Sequence, residues 1–302
     1  MFSQGQLRYF VTVSEEGQIT RAAKRLHLAQ PALSQAIAQL ESELGVTLLM
    51  RHPRGVTLTD AGEAFLVKAR AVLAAEAETS QTALALRRAA SDAIAIGFIG
   101  APPSLGSPEL FGAFAERHPH AQISFLDLPF PRGRTASWLA DVDVAFCHAP
   151  MVEPGICVQP VRVEPRALVA HRSHALAGYP ELGVADVLNE TFVSYHPEVQ
   201  PAWVAFHSLD DHRGGPPGEV TGDHALSTLQ MLGIMSSARA VTTVPYGDAK
   251  LARQVLPDIV ATPLHDAAPA AVSLLWREET SSGLLEDLLD MAKRLAASED
   301  EL

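Results

Sequence analysis

Residues 18–44 read QITRAAKRLHLAQPALSQAIAQLESEL, and this stretch decides the fold at the N-terminal end of the chain. Ile19, Ala22, Ala23 and Leu26 fall at i, i+3, i+4, i+7. Leu33, Ile37, Leu40 and Leu44 fall at i, i+4, i+7, i+11. Each set makes one apolar stripe on an amphipathic helix, and a tight turn joins the two. Pro31 is tolerated in a first helical turn, where its missing N–H has no partner anyway. Gln30, Ser34 and Gln35 face outward at the start of the second helix, beside its stripe. Side chains of this kind can bond base edges, and an α-helix fits the major groove of B-DNA. A helical hairpin inside an all-α core has the same shape, so the flanking sequence must decide between the two.

On the C-terminal flank, residues 46–59 read VTLLMRHPRGVTLT, two apolar-alternating runs about a Pro-Arg-Gly turn, which predicts a short hairpin or wing carrying Arg51 and Arg54. Arg21, Lys24 and Arg25 lie on the first helix. Basic side chains on both sides of a polar helix face are what phosphate clamping requires.

The segments ITRAAKRLHLAQPALSQAI, LESELGVTLLMR and RGVTLTDAGEAFL, with VTTVP near the C-terminus, resemble the LysR-type transcriptional regulators. The resemblance covers essentially the whole chain, densely in the N-terminal motif and mostly as pattern beyond it. It implies a winged helix-turn-helix in which the positions of Gln30, Pro31, Ser34, Gln35 and Arg54 approach double-stranded promoter or operator DNA, with Arg21 and Arg51 as further basic candidates. It also implies a periplasmic-binding-protein-like effector domain, a small-molecule effector, and self-association as dimer or tetramer. Two positions depart from the family pattern. Gln18 stands where many members have a capping Ser, and Gln35 where many have a basic residue; Gln35 can still read adenine bidentately.

The formal net charge is -12 over 302 residues, which taken whole argues against a nucleic acid partner. The distribution reverses that reading. Residues 1–58 hold six basic side chains (Arg8, Arg21, Lys24, Arg25, Arg51, Arg54) and four acidic ones (Glu15, Glu16, Glu41, Glu43), a head of +2 on a body of -14. So modest a head charge points to dimerisation as a large part of DNA affinity. No basic-then-apolar leader and no bilayer-length apolar run occur, so the expected setting is cytoplasmic, without membrane contact. Cys147 and Cys157 make no disulfide framework. A redox switch between them is one reading, buried free cysteine the commoner one.

Residues 59–90 are rich in Ala, Leu and Glu, without proline. Thr59 is the expected N-cap, with Asp60 and Glu63 near the positive helix end. Leu66, Leu73, Ala77 and Leu84 recur at seven, four and seven, a coiled-coil-like seam on a helix of about 48 Å. The expectation is a linker helix that packs against its own copy; a solvated connector is the plainer alternative. Beyond residue 91, strands alternate with helices, which predicts parallel sheets covered on both faces. The expected organisation is a winged helix-turn-helix at 1–58, the linker helix at 59–90, and an α/β effector domain at 91–302. A late strand and C-terminal helix return to the first lobe, so lobe I is 91–163 with 268–302 and lobe II is 164–267.

Ligands of open α/β sheets bind beyond the C-terminal strand ends. The first such loop, residues 100–107, runs into a helix start at Ser107, which favours an anion or carboxylate. The candidate effector residues are Ala101, Ser104, Ser107, Phe130, Phe146, Cys147, His196 and Pro197. Relatives often carry a hydroxyl at the position of Ala101 and another near Phe130, so the expected effector is small and partly apolar, with an anionic group. Ala238-Arg239-Ala240 replaces the family's Gly-x-Gly, and a left-handed Ala238 would cost about 1 kcal/mol. No catalytic residue, metal or cofactor is expected. The histidines lack ligand spacing, and no phosphate loop or nucleophile elbow occurs. A solute-binding protein and a two-domain α/β enzyme remain as alternatives; DNA binding and turnover separate them.

Overall fold

Apolar spacing and turn chemistry divide the computed structural model much as they divide the sequence. It describes residues 2–299 apart from 54, 101–107, 134–135, 149–150, 152 and 239. By its internal contacts the chain forms two units, Met1–Ala83 and Leu84–Leu302.

The first unit opens with a helix that the sequence reading did not foresee, α1 (Gln4–Glu16). Ser3 and Gln6 form a reciprocal capping box at its start, and Gly17 ends it at φ 63°. Helix α2 (Ile19–Arg25) starts at Gln18 without a side-chain cap. Helix α3 (Gln30–Leu44) carries Pro31 in its first turn. The expected stripe of α3 is the core: Leu33, Ile37 and Leu40 are fully buried with Ala22, Ala23, Leu7, Phe10 and Val13. Each of the large side chains contributes about 1.5–3 kcal/mol by burial.

Strands β1 (Leu49–His52) and β2 (Gly55–Leu58) pair antiparallel as the wing. Glu41 of α3 accepts hydrogen bonds from the backbone of Leu48 and Leu49, which ties the end of that helix to the wing. The wing docks on the α1–α2 turn through the Val56 N–H to the Gly17 carbonyl, 2.8 Å. A Cβ at Gly55 would stand 2.2 Å from that carbonyl oxygen, so only glycine fits there.

Helix α4 (Asp60–Ala90) begins where Thr59 accepts the Gly62 N–H at 2.9 Å. The expected seam is used differently from the reading above. Leu66 and Leu73 pack against the first unit's own core, Ala77 is exposed, and Leu84, in the second unit, is half-buried. The face turned outward from that core is Ala64, Val67, Ala71 and Ala74, all exposed, with Val67 at 65%.

The second unit runs β3 (Ala93–Phe98), α5 (Pro108–Arg117), β4 (Gln122–Asp127), β5 (Val144–Cys147), β6 (Ile156–Glu164), β7 (Arg166–His171), α6 (Val184–Val187), β8 (Phe192–Tyr195), α7 (Pro201–His207), α8 (Asp210–Arg213), β9 (Val220–Ala225), α9 (Thr228–Ala238), β10 (Thr242–Pro245), α10 (Tyr246–Val255), β11 (Ile259–Pro263), β12 (Ala270–Arg277) and α11 (Gly283–Glu299). One sheet has the order β4-β3-β5-β12-β6. The other lobe holds β10-β7-β11, and the β8-β9 pair joins it by a bridge from Phe192 to Val241.

The sheets are mixed, where parallel ones were expected. β3 pairs parallel with β4 and β5, but β12 runs antiparallel to β5 and β6, and β7 antiparallel to β10 and β11. The late strand β12 was expected, but β6 was not, because Pro160 interrupts its sequence. A proline is allowed there because β6 is an edge strand and the register shifts opposite it, between Val272 and Ser273. The segment 210–213 forms the one-turn α8. α9 remains helical through Ala238, so no left-handed alanine is needed at that residue.

Candidate functional sites

Helix α3 presents one polar end. Gln30, Pro31 and Gln35 are exposed and Ser34 is half-buried; Pro31 and Gln35 face away from Leu33, Ile37 and Leu40, and Gln30 and Ser34 flank them. The Gln30 amide donates to the Ser34 hydroxyl at 3.1 Å, which orders the first turn of that face. Arg21 is exposed and donates to the Glu16 carbonyl at 2.8 Å. Arg25 is held by Glu15 and Glu16 at 3.1 and 3.2 Å, and the Glu16 hydrogen bond raises its pKa. Its charge is therefore already met within the head. Arg51 is exposed on β1, beside a groove of about 440 Å³ lined also by Gln18, Thr20, His52 and Pro53. Arg54 lies outside the described residues.

In the second unit a cavity of about 310 Å³ opens between the lobes. Its apolar wall comes from Phe98, Phe130, Val169, Trp203, Met231, Leu232 and Val244, and its polar groups are Asp127, His148, His207, Thr228 and Asp248. Phe130 stacks obliquely on Trp203 and Tyr195, with ring centroids 5.2 and 5.5 Å apart. The segment that carries it is lashed to the other lobe by backbone hydrogen bonds: Phe130 N–H to Leu226, Gln200 N–H to Pro131, and Gly133 N–H to Glu198, at 2.9–3.1 Å.

A polar chain also crosses between the lobes. His148 Nδ1 stands 3.2 Å from Asp248 Oδ2, His148 Nε2 lies 3.1 Å from His207 Nε2, and His207 Nδ1 lies 2.8 Å from the Trp203 carbonyl. Burial pushes the His207 pKa well below 6.5, and the neighbouring His148 adds to this. Burial raises the Asp127 carboxyl.

Of the expected effector residues, Phe130 lines the cavity. Ala101, Ser104 and Ser107 lie outside the described residues. Phe146 does not line it: side chains alternate along β5, and Phe146 packs on the other face of the sheet against Phe111, 5.5 Å between centroids. Cys147 is buried in the core on the cavity side but is not part of the lining. His196 caps its own loop, its Nδ1 accepting the Glu198 N–H at 3.3 Å, and Pro197 is exposed. Nor can the cysteines meet. β12 lies between β5 and β6, with Cys147 opposite Ser273 and Cys157 opposite Trp276. Two strand spacings of about 4.8 Å already exceed disulfide reach.

The sequence reading missed His148, Trp203, His207 and Asp248. Their signals were positional. His148 is the first residue after β5, and Asp248 lies in the first turn after the Pro245 that ends β10. Trp203 and His207 are four apart on a helix announced by Pro201.

Residues 5–63 match the family described as bacterial regulatory helix-turn-helix protein, lysR family, and residues 87–297 match the LysR substrate binding domain. The HTH-type transcriptional regulator TdfR of Cupriavidus pinatubonensis is 31% identical over 96% of this chain and 97% of its own. TfdS of the same organism is 32% identical over 96% and 97%. Among solved structures, the LysR family transcriptional regulator CbnR covers 98% of this chain and 99% of its own, at 25% identity and a TM-score of 0.56. Full-length CbnR complexed with its target DNA covers 98% and 100%, at 26% identity and a TM-score of 0.50.

Proposed function

Because the chain belongs to the LysR family of bacterial transcriptional regulators, we propose that its operator is read by the exposed end of α3 and that its effector sits in the cavity between the lobes. The protein is a DNA-binding regulator with an effector-binding domain, and its relatives are regulators rather than enzymes or solute carriers. One observation carries the DNA reading: the first turns of α3 are polar and open, with Pro31 and Gln35 opposite the fully buried Leu33–Ile37–Leu40 stripe and Gln30 and Ser34 along its edge. Arg21, Arg51 and Arg54 supply phosphate contacts around it, and the DNA complex of full-length CbnR supports the same use of the head.

Residues 1–58 act as the head, 59–90 as the linker and dimer contact, and 91–302 as the sensor, with lobe I at 91–163 and 268–302 and lobe II at 164–267. The exposed Ala64–Val67–Ala71–Ala74 face makes the linker contact to a second copy, since Leu66 and Leu73 serve the head's own core. The regulator works in the cytoplasm, where its DNA is; among the described residues no helix is long and apolar enough to cross a membrane. Effector binding changes the balance between lobe arrangements, and the paired heads change their fit to spaced half-sites. Footprinting of the operator with and without candidate effectors tests this. The expected result is a protected region of two half-sites whose extent changes with the effector; protection that no cavity-binding molecule alters removes the sensor reading.

A further inference from the structure

Hydrogen-bond direction in the cavity decides which polar atoms remain for a ligand. The Trp203 carbonyl only accepts, so His207 Nδ1 carries a hydrogen and its Nε2 is the acceptor. His148 Nε2 is therefore the donor of the His–His bond. His148 Nδ1 is left facing Asp248 Oδ2 at 3.2 Å. All four ring nitrogens are engaged, so the two imidazoles offer a ligand their ring faces and no free donor.

The side-chain polar atoms left in the lining are the Asp127 carboxyl, the Asp248 carboxyl, the Thr228 hydroxyl and the Trp203 indole N–H, the last buried and without a partner among the described residues. The carboxylate oxygens are acceptors. The described lining contains no Lys or Arg, and residues 101–107, which follow Gly100, contain none in sequence. Thr228 Oγ1 and the same Asp248 Oδ2 that faces His148 both border the space beside Gly100, where a Cβ would stand 3.9 and 3.8 Å from them. Asp127 has burial acting on it and no neighbouring cation. The walls beside these acceptors are the aromatic rings of Phe98, Phe130 and Trp203.

We propose that the effector is a ring-sized apolar molecule bearing one protonated amine, its ring among Phe98, Phe130 and Trp203 and its ammonium among Asp127, Asp248 and Thr228. This rests on reading the cavity as the effector site, and it replaces the anionic group expected from the helix start at Ser107. An ammonium has three donors and no acceptor, the complement of these oxygens, and it gains from the aromatic faces. An anion would meet two carboxyl groups and, among the described lining, only the neutral donors of Thr228 and Trp203, with no Lys or Arg. The volume is about twice the ~150 Å³ that accepts one benzene ring.

Three compounds on one phenylethyl scaffold test the charge assignment with the full-length protein: 2-phenylethylamine, 3-phenylpropanamide and 3-phenylpropanoate, titrated by ligand-observed NMR at neutral pH. The amine is expected to bind roughly tenfold more tightly than the amide, with the carboxylate weakest. Asp127→Asn should weaken the amine about tenfold and leave the amide unchanged. Asp127 is exposed at a strand end, so the variant's fold is not at stake; Thr228→Val, at a half-exposed position, should weaken the amine independently. Carboxylate binding equal to that of the amine overturns the proposal. So does an amine affinity untouched by Asp127→Asn, or no binding by any of the three at about 10 mM, where even millimolar affinity registers. Amine binding that leaves operator affinity unchanged supports the charge assignment and removes the effector role. Carboxylate binding that shifts operator affinity keeps the effector role and overturns the charge.

Discussion

Gln35 and Arg51 are both exposed on the head, yet they should fail differently when removed. A glutamine amide can pair with an adenine edge at two atoms, so Gln35→Ala should cost about 1–3 kcal/mol at one half-site position and relax its base preference. Arg51 is proposed as a phosphate contact at the wing, so Arg51→Ala should weaken all duplexes alike and lower the salt slope by about 1. Binding titrations against a set of single-base operator variants at several salt concentrations separate the two. His207 sets a pH limit of its own. Burial holds its pKa below 6.5, so the unfolded chain takes up a proton that the folded one refuses. Its contribution is complete above about pH 6.5 and is lost as the pH falls, at up to about 1.4 kcal/mol per pH unit. Denaturant melts of the second unit should show this slope between pH 6.5 and 5, and His207→Gln should flatten it; an unchanged slope would assign the proton uptake elsewhere.

At the scale of elements, α4 shows how one helix divides its faces. Leu73 closes the core of the first unit, whereas Val67 points outward. Leu73→Ala should therefore lower the head's stability by about 2 kcal/mol, the low end for a leucine that is only half-buried. Val67→Asp should leave that melt unchanged and shift sedimentation towards smaller species. Dimers unaffected by Val67→Asp would show that the helix is a connector with its partner contact elsewhere. Thr59→Ala, which removes the cap of α4, should cost about 1 kcal/mol in the same head transition.

The whole molecule divides into two units by internal contacts, so calorimetry should resolve two transitions. Phe130 is 1% exposed and sits on the segment lashed between the lobes, so Phe130→Ala should cost about 3–5 kcal/mol. That loss should appear in the second transition alone, with the head transition and basal DNA contact by the head unchanged. A shift of both transitions would mean that the units unfold together. A bound effector should raise only the second transition, with a size that follows its concentration over Kd.

Sequence by itself determined the helix-turn-helix, its buried stripe and exposed polar end, the wing, the Thr59 cap and the two-lobed α/β plan. Each of these rests on local chemistry: helical spacing, a turn tripeptide, a capping hydroxyl, strand and helix alternation. The first helix escaped because its signal is weak without its partners, although Ser3 and Gln6 spell a capping box. Tertiary structure alone decided the rest. The inward use of Leu66 and Leu73 depends on what α4 packs against, and periodicity names a stripe without naming its partner. Phe146 left the candidate site because one residue along a strand reverses the face. The cavity's polar chain joins His148, His207 and Asp248 from positions far apart in sequence, through strand ends and helix starts on both lobes. No spacing rule reaches across such separations; only the folded sheets bring those nitrogens and oxygens within 3.2 Å.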